Sequence, residues 1–376
     1  MATSIPIIET RGTHYEVGHQ IGVAAREHLR AMHAETCAEY RSTWQQLLRA
    51  SAPFVAATQQ RLPNVLEEMR GVAAGAEIPF DDLFLMSVEE LLYEEVRGLE
   101  VRNWKLEVGD TRSSPALPTP SPVTRHPSPP KGCSDLAAAP PATRDGHVWL
   151  AHNNDLGASS RAHLFVTRFR VTGEPEILAV TVGGWFISIG MNHAGVSLTG
   201  NQLNANDSRA GVPRLLIVRD ILAQTNLDDA LASALMPERA SSYNNIIGSQ
   251  DRRIVNAEGS ATAAAVTWAH TDDGIIAHTN HYLAPEMLHL EADAAHRNMS
   301  ASRCARALDY AQKYRGHIDF EICARLLRDH VYAPWSVCKH AGQSVTVFSA
   351  IIDLTELKLW LARGNPCENE FSLYTI

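Results

Sequence analysis

The chain has 376 residues, 45% hydrophobic and 20% charged, with a net charge of -9. That length can bury a sizeable core in one large or two smaller domains, and the acidic balance excludes a nucleic-acid partner or an anionic membrane surface, either of which calls for a basic face. The N-terminal Met1-Ala-Thr-Ser-Ile-Pro-Ile-Ile-Glu lacks a basic stretch followed by an apolar run, and nothing later is long and apolar enough to span a bilayer. The expectation is a cytoplasmic enzyme.

From Tyr15 to about Arg97, helix-forming Ala, Leu, Glu, Gln and Arg dominate, with apolar residues recurring at three and four. Pro63 and the stretch from Gly71 to Pro79 divide this region into about three helices. Residues 109–131 are dense in Pro and Ser without apolar periodicity and read as an exposed linker.

Beyond Cys133 the pattern turns to β. His147-Val-Trp-Leu-Ala-His, Leu164-Phe-Val-Thr-Arg-Phe-Arg-Val and Ile177-Leu-Ala-Val-Thr-Val are short branched and aromatic runs separated by glycines. Trp185-Phe-Ile-Ser-Ile and Val196-Ser-Leu-Thr continue the series. Pro213 to Gln224 and Leu227 to Leu235 read as helices, the second capped by Asn226. Strand-like pieces return at Ala263 to Trp268, Ile275 to Thr279, Val345 to Ile352 and Leu357 to Ala362, with helices at Ser302 to Tyr314 and Asp319 to His330. Strand runs followed by helices suggest antiparallel sheets with helices on their outer faces, an α+β layered architecture.

The six cysteines form no C-x-x-C pair, which removes a zinc ribbon and a thioredoxin motif; Cys37, Cys304 and Cys323 read as small buried hydrophobes. His278 and His281 lack the H-E-x-x-H pattern, so no metal and no cofactor is expected. Gly132-Cys133-Ser134-Asp135, at the end of the linker, is different. A cut between Gly132 and Cys133 would leave Cys133 with its own amine beside its own thiol, and an α-amine of pKa ~7.7–8.0 can take a thiol proton at neutral pH. Gly132, without a Cβ, lets the thiol approach its carbonyl. Oxyanion donors for acyl transfer could come from His152-Asn153-Asn154-Asp155 or from His278-Thr279-Asn280-His281, each of which also reads as strand-ending turn chemistry.

These residues resemble the isopenicillin N acyltransferase family of N-terminal-nucleophile (Ntn) hydrolases. Gly12-Thr-His-Tyr-Glu-Val-Gly-His-Gln-Ile-Gly resembles its G-x-x-x-E-x-G-x-x-x-G segment and Gly132-Cys133 its self-cleavage site. Asn153-Asn-Asp155 is similar to N-x-D, and Gly190-Met-Asn-His-Ala-Gly-Val to G-x-N-x-A-G-[VL]. Gly211-Val-Pro is similar to the G-V-P before a helix, and His278-Thr-Asn-His281 to H-T-N-H. The resemblance spans nearly the whole chain. It implies a four-layer αββα sandwich. It also implies a precursor that cuts itself into a helical α-chain, 1–132, and a catalytic β-chain, 133–376, which stay together as one αβ heterodimer. Cys133 would be the nucleophile, with Asn280 and the backbone N–H of Asp155 as the oxyanion hole. The substrate would be a small-molecule amide.

The chain departs from that pattern in three places. Gly342-Gln343 stands where penicillin-making members have a Ser-Arg pair, Asn154 occupies the middle of N-x-D, and the linker is longer. Gln343 turns the expectation from β-lactams toward a small N-acyl amine, such as an N-acyl amino acid or a β-alanyl amine conjugate. Asp135 either meets a cationic substrate amine or is a solvated loop carboxylate. Asn153 and His281 are further substrate-binding candidates, and Trp335 either lines the pocket or packs in the core. Three rival readings stand beside this one. The first is an acyl-coenzyme A-dependent β-lactam acyltransferase. The second is a papain-like Cys133–His281 amidase without self-cleavage, and the third a non-catalytic binding protein.

Overall fold

The computed structural model describes residues 4–89, 91–92, 132–269, 273–292, 294–342 and 344–376. The Pro/Ser-rich run 109–131 and Gln343 lie outside the described residues.

Among the described residues, the N-terminal part forms the helices α1 (His14–Ala24), α2 (Arg26–Glu39), α3 (Trp44–Arg61), α4 (Pro63–Ala76) and α5 (Phe80–Ser87), preceded by the short strand β1 (Ile7–Glu9). The sequence pattern had suggested about three. Pro63 acts as the divider it was read to be, because it opens α4, where a missing N–H costs nothing. Thr13 and Glu16 close a capping box on α1. The glycines of the Gly12–Gly22 segment also have a packing role. A Cβ on Gly18 would lie 1.8 Å from the Glu68 carbonyl oxygen, and one on Gly22 2.2 Å from that of Val72. Gly71 and Gly75 of α4 answer them at 2.1 and 2.2 Å from the carbonyls of Tyr15 and His19. Two helices therefore cross backbone against backbone, which only glycine permits.

The strands are β2 (Gly132–Ala138), β3 (Trp149–Leu156), β4 (Leu164–Phe169), β5 (Ile177–Val182), β6 (Phe186–Asn192), β7 (Val196–Gln202), β8 (Tyr243–Ser249), β9 (Ile254–Gly259), β10 (Ala264–Trp268), β11 (Ile275–His278), β12 (Val345–Asp353), β13 (Lys358–Arg363) and β14 (Ser372–Thr375). The later helices are α6 (Arg214–Ala223), α7 (Leu227–Ala234), α8 (Ala294–Lys313) and α9 (Phe320–Leu327). Asn226 caps α7 as expected, and Asp319 caps α9 in the same way.

The strands make two sheets. One runs β1-β4-β5-β6-β7-β8-β9-β10 and the other β11-β2-β3-β12-β13-β14. Apart from the parallel β1–β4 pair, the ladders are antiparallel. Three apolar layers hold the stack together. Ile21, Leu47, Leu66 and Leu216 pack with Phe169, Ile177 and Leu198 on the outer face of the eight-stranded sheet. Leu150, Ala137, Phe348 and Ile352 meet Val166, Leu178, Val180 and Ile189 between the sheets. Leu136, Trp149, Ala151 and Ile351 meet Ala307, Tyr310 and Ile322 on the outer face of the six-stranded sheet. The result is the four-layer αββα sandwich.

Each face of β2 and β3 therefore has a distinct fate, because side chains alternate along a strand. In register, Cys133 opposes Asn154 and Asp135 opposes His152, so these four share the face toward the other sheet. Ser134, Asn153 and Asp155 face the α8–α9 layer. A charged group on either buried face needs partners, and the site is built from how each finds them.

Candidate active site

Gly132 and Cys133 open β2 inside the sandwich, with every residue of this strand buried. The sequence reading placed the strand only after Cys133; the Gly-Cys-Ser-Asp-Leu-Ala-Ala segment has low β propensity, and burial between two layers overrides it. The Cys133 N–H donates to Asn280 Oδ1 at 2.7 Å. Arg303 of α8 reaches across from the helical side. Its guanidinium donates to the Cys133 carbonyl, to Ser134 Oγ at 2.9 Å and to Asn280 Oδ1 at 2.8 Å. Asn280 in turn donates through Nδ2 to the Gln202 carbonyl at 3.1 Å, and its backbone N–H is held by Ser300 Oγ at 2.7 Å. The atom of Asn280 that faces the Cys133 N–H is thus its carbonyl oxygen.

Gly132 stands opposite Asp155 in the ladder. A Cβ on Gly132 would come within 2.9 Å of Asp155 Oδ2. Space against this carboxyl, and not a left-handed backbone, is what requires glycine here. Asp155 Oδ1 accepts from Thr346 Oγ1 at 2.8 Å, while Oδ2 has no hydrogen bond among the described residues. Burial lifts the Asp155 carboxyl to about 6, against the opposing pull of the Arg303 and Lys339 cations.

On the inner face, His152 Nδ1 is hydrogen-bonded to Asp135 Oδ1 at 2.9 Å, and Asn201 Nδ2 donates to Asp135 Oδ2 at 2.5 Å. Burial pushes the His152 imidazole down, but the Asp135 carboxylate outweighs it and raises the ring to about 10, with Cys133 contributing in the same direction. His152 Nε2 is left buried without a hydrogen bond of good geometry, beside the Cys133 thiol. The chain of polar contacts continues from Asn201 Oδ1 to His278 Nδ1 at 3.1 Å and from His278 Nε2 to Glu258 Oε1 at 2.7 Å.

Asp135 is accordingly neither a solvated loop carboxylate nor a contact for a substrate amine: it is 1% exposed, and both its oxygens are taken by His152 and Asn201. Asn153, expected at the substrate, points into the α8–α9 layer, where Nδ2 donates to the carbonyls of Leu327 and Val337 and Oδ1 accepts from Ser349. Asn154 is the member of that motif that reaches the cavity. His281 is hydrogen-bonded through Nδ1 to Ser300 Oγ at 2.8 Å, and burial followed by the neighbouring His278 lowers it to about 4. The histidine beside Cys133 is His152, so the papain-like pairing with His281 is not the one this fold makes. Trp335 is 48% exposed and belongs neither to the core nor to the cavity walls.

The cavity at Cys133 measures about 360 Å³. Met32 of α2, Tyr40 just beyond that helix, Met86 of α5, Leu156 and Phe186 supply apolar wall; Glu39, Glu89, Arg214, Gln202 and Tyr243 supply polar atoms. The Arg214 guanidinium lies 4.4 Å over the Tyr243 ring. Residues from the helical N-terminal part and from the sheets therefore share one pocket. The sequence names His152 only within a cluster of possible oxyanion donors, whereas the fold pairs it with Asp135 beside Cys133; the cavity residues of α2 carry no motif at all.

Comparison with known proteins places the chain. The profile of the family described as "Acyl-coenzyme A:6-aminopenicillanic acid acyl-transferase" matches residues 142–368. The Drosophila melanogaster protein named beta-alanyl-dopamine/carcinine hydrolase is 24% identical over 246 residues, covering 60% of this chain and 56% of that relative. The Emericella nidulans protein named acyl-coenzyme A:6-aminopenicillanic-acid-acyltransferase 40 kDa form is 23% identical over 378 residues, covering 96% of this chain and 92% of the relative. Among solved structures, a C2A mutant of the conjugated bile acid hydrolase from Clostridium perfringens is similar with a TM-score of 0.41 and 10% identity, over 65% of this chain and 97% of that one. The penicillin V acylase from Agrobacterium tumefaciens is similar with a TM-score of 0.41 and 12% identity, over 61% of this chain and 82% of that one. With its profile match covering more than half its length, the chain belongs to the acyl-coenzyme A:6-aminopenicillanic acid acyl-transferase family of Ntn hydrolases.

Proposed function

We propose that the protein cuts its own chain before Cys133 and then acts on small N-acyl amides, by hydrolysis or acyl transfer, through a Cys133 thioester. The observation that carries this reading is the placement of the Gly132–Cys133 peptide. It is buried at the head of a strand, with its N–H fixed by Asn280 and its thiol on the wall of a cavity.

In the uncut chain no free α-amine exists, so another group must manage the thiol proton. His152, oriented by Asp135 and held as an imidazolium beside the sulfur, stabilises the thiolate, and the thiol proton passes to the departing nitrogen. Attack of the Cys133 sulfur on the Gly132 carbonyl carbon forms the thioester as the C–N bond breaks. The nitrogen takes up a proton to become the amine. The Asp155 carboxyl, poised near neutrality beside Gly132, is a second proton source. Water then releases Gly132 as a carboxylate.

With Gly132 gone, Asp155 loses its ladder partner on that side, and its backbone N–H becomes available beside Cys133. That group and the Asn280 side-chain amide, whose Nδ2 is bonded to cavity-lining Gln202, are the proposed oxyanion donors. The α-amine of Cys133 takes the thiol proton, the thiolate attacks the substrate carbonyl, and the amine product leaves with that proton. Water or a second amine resolves the thioester.

The apolar wall of Met32, Tyr40, Met86, Leu156 and Phe186 suits a small acyl amine, in line with the name of the Drosophila relative, beta-alanyl-dopamine/carcinine hydrolase; the Glu89 carboxylate is already paired with Arg214. The family description and the Emericella relative favour a second reading, in which an acyl-coenzyme A donor acylates a β-lactam amine. Denaturing mass analysis of active protein is expected to show two chains divided before Cys133. Cys133→Ala is expected to stay whole and inactive. Activity in a single intact chain, or in Cys133→Ala, would overturn the mechanism. Amine release from a β-alanyl amide panel without coenzyme A separates the first reading from the second.

A further inference from the structure

Away from Cys133, four side chains from three loop positions converge on one point. His330 follows α9, Cys338 and His340 lie in the segment leading to β12, and Cys367 lies between β13 and β14. One ligand atom from each falls within 4.8 Å of all the others. Cys338 Sγ is 3.6 Å from Cys367 Sγ and 3.6 Å from His340 Nε2, His340 Nε2 is 3.1 Å from Cys367 Sγ, and His330 Nε2 is 3.0 Å from His340 Nε2.

A tetrahedron has edges about 1.6 times its centre-to-corner length. Zinc–sulfur bonds of about 2.3 Å and zinc–nitrogen bonds of about 2.0–2.1 Å give S–S, S–N and N–N edges of roughly 3.8, 3.5 and 3.3 Å. The four edges above match that figure to within a few tenths of an ångström. The outer contacts fit as well. His340 Nδ1 lies 3.5 Å from Glu368 Oε1, an arrangement in which the Nδ1 proton serves the carboxylate and the Nε2 lone pair faces the cluster. Asn365 Nδ2 donates to Cys338 Sγ at 3.4 Å, the kind of bond that steadies a thiolate. Three of the four residues are exposed, which leaves a path for an ion to enter.

We propose that His330, Cys338, His340 and Cys367 form a structural zinc site. Binding converts the two thiols to thiolates with release of two protons, and the two imidazoles bind neutral, so the closed Cys₂His₂ shell carries no net charge. No ligand position remains open, which separates the site from the chemistry at Cys133. Its mechanical effect is to tie the segment between α9 and β12 to the turn after β13. That segment carries Lys339, whose carbonyl accepts from Asn365 and from the Thr346 N–H. Thr346 is the residue that holds Asp155. Zinc would thus brace the wall behind the cleavage point without touching substrate.

The test uses the untagged full-length protein, made in zinc-supplemented medium and gel-filtered. Elemental analysis is expected to find about one zinc per chain, lost in Cys338→Ser/Cys367→Ser and kept in Cys37→Ser. Exchange with cobalt(II) is expected to give the intense visible bands and thiolate charge transfer of a tetrahedral S₂N₂ site. If the double serine variant does not fold, the cobalt spectrum of the unaltered protein decides alone. Wild-type protein without zinc, zinc retained in the double variant, a Cys338–Cys367 disulfide in the purified protein, or a weak octahedral cobalt spectrum would each overturn the proposal.

Discussion

The backbone nitrogen of Cys133 and Oδ1 of Asn280 are 2.7 Å apart, and the same oxygen accepts from Arg303. One side chain therefore sets where the nitrogen of the Gly132–Cys133 peptide sits, and it does so from just beyond β11, a strand that pairs with β2.

Replacing that oxygen tests the arrangement. Asn280→Ala removes the acceptor for two buried donors and one proposed oxyanion donor. The expected result is slower appearance of the two chains on a denaturing gel. In matured protein kcat should fall by about 10²–10³-fold, with a smaller change in KM. A variant that matures and turns over at wild-type rates would remove Asn280 from the site.

The His152–Asp135 pair predicts a pH dependence of stability. The His152 imidazole is raised to about 10 in the folded chain, mainly by the Asp135 carboxylate against the opposing effect of burial. A raised folded value contributes stability that is fully present below the unfolded value of about 6.5 and is lost as pH climbs toward the folded one. The Tm gap between wild type and His152→Gln is therefore expected to be widest near pH 6 and to narrow steadily up to pH 10. A gap constant across that window would mean the ring is neutral throughout.

The crossing of α1 and α4 predicts a steric limit. Gly18→Ala places a methyl group at 1.8 Å from the Glu68 carbonyl oxygen, a backbone atom that cannot rotate away. A loss of about 3 kcal/mol or more is expected in denaturant unfolding, at the upper end of ordinary overpacking. Gly146→Ala, where no atom lies within 4 Å but φ is +77°, should cost less and serves as the comparison.

Glu68 predicts a second structural dependence. It is fully buried, receives two bonds from Arg219 and one from the Trp185 indole, and meets His14 at 3.1 Å. Glu68→Ala leaves the Arg219 cation buried with Glu174 as its remaining carboxylate. The expected cost is about 3–5 kcal/mol, because the loss is that of a buried charge's partner. Unfolding curves that match wild type would show that Glu174 suffices.

Motif spacing made part of this protein legible. Pro63 as a divider and Asn226 as a cap are legible because capping and the missing proline N–H are local effects. The β runs rich in branched residues became β4 to β7, β12 and β13. Strand β8, Tyr243-Asn-Asn-Ile-Ile-Gly-Ser, was passed over because its Asn, Gly and Ser read locally as turn residues, whereas in the sheet they are buried in register with β7 and β9. Strand β2 was passed over for the same reason.

The amino-acid sequence alone determined the family, the layered α+β class and the position of Gly132-Cys133, because each depends on residue types at fixed short spacings. Tertiary structure alone decided which groups meet. The two-residue alternation along β2 and β3 sends Asp135 and His152 to the inner face and Asn153 to the helices, and no short motif records which face is which. His330, Cys338, His340 and Cys367, spread over 38 residues without a regular spacing, come to one point only when three loops fold together.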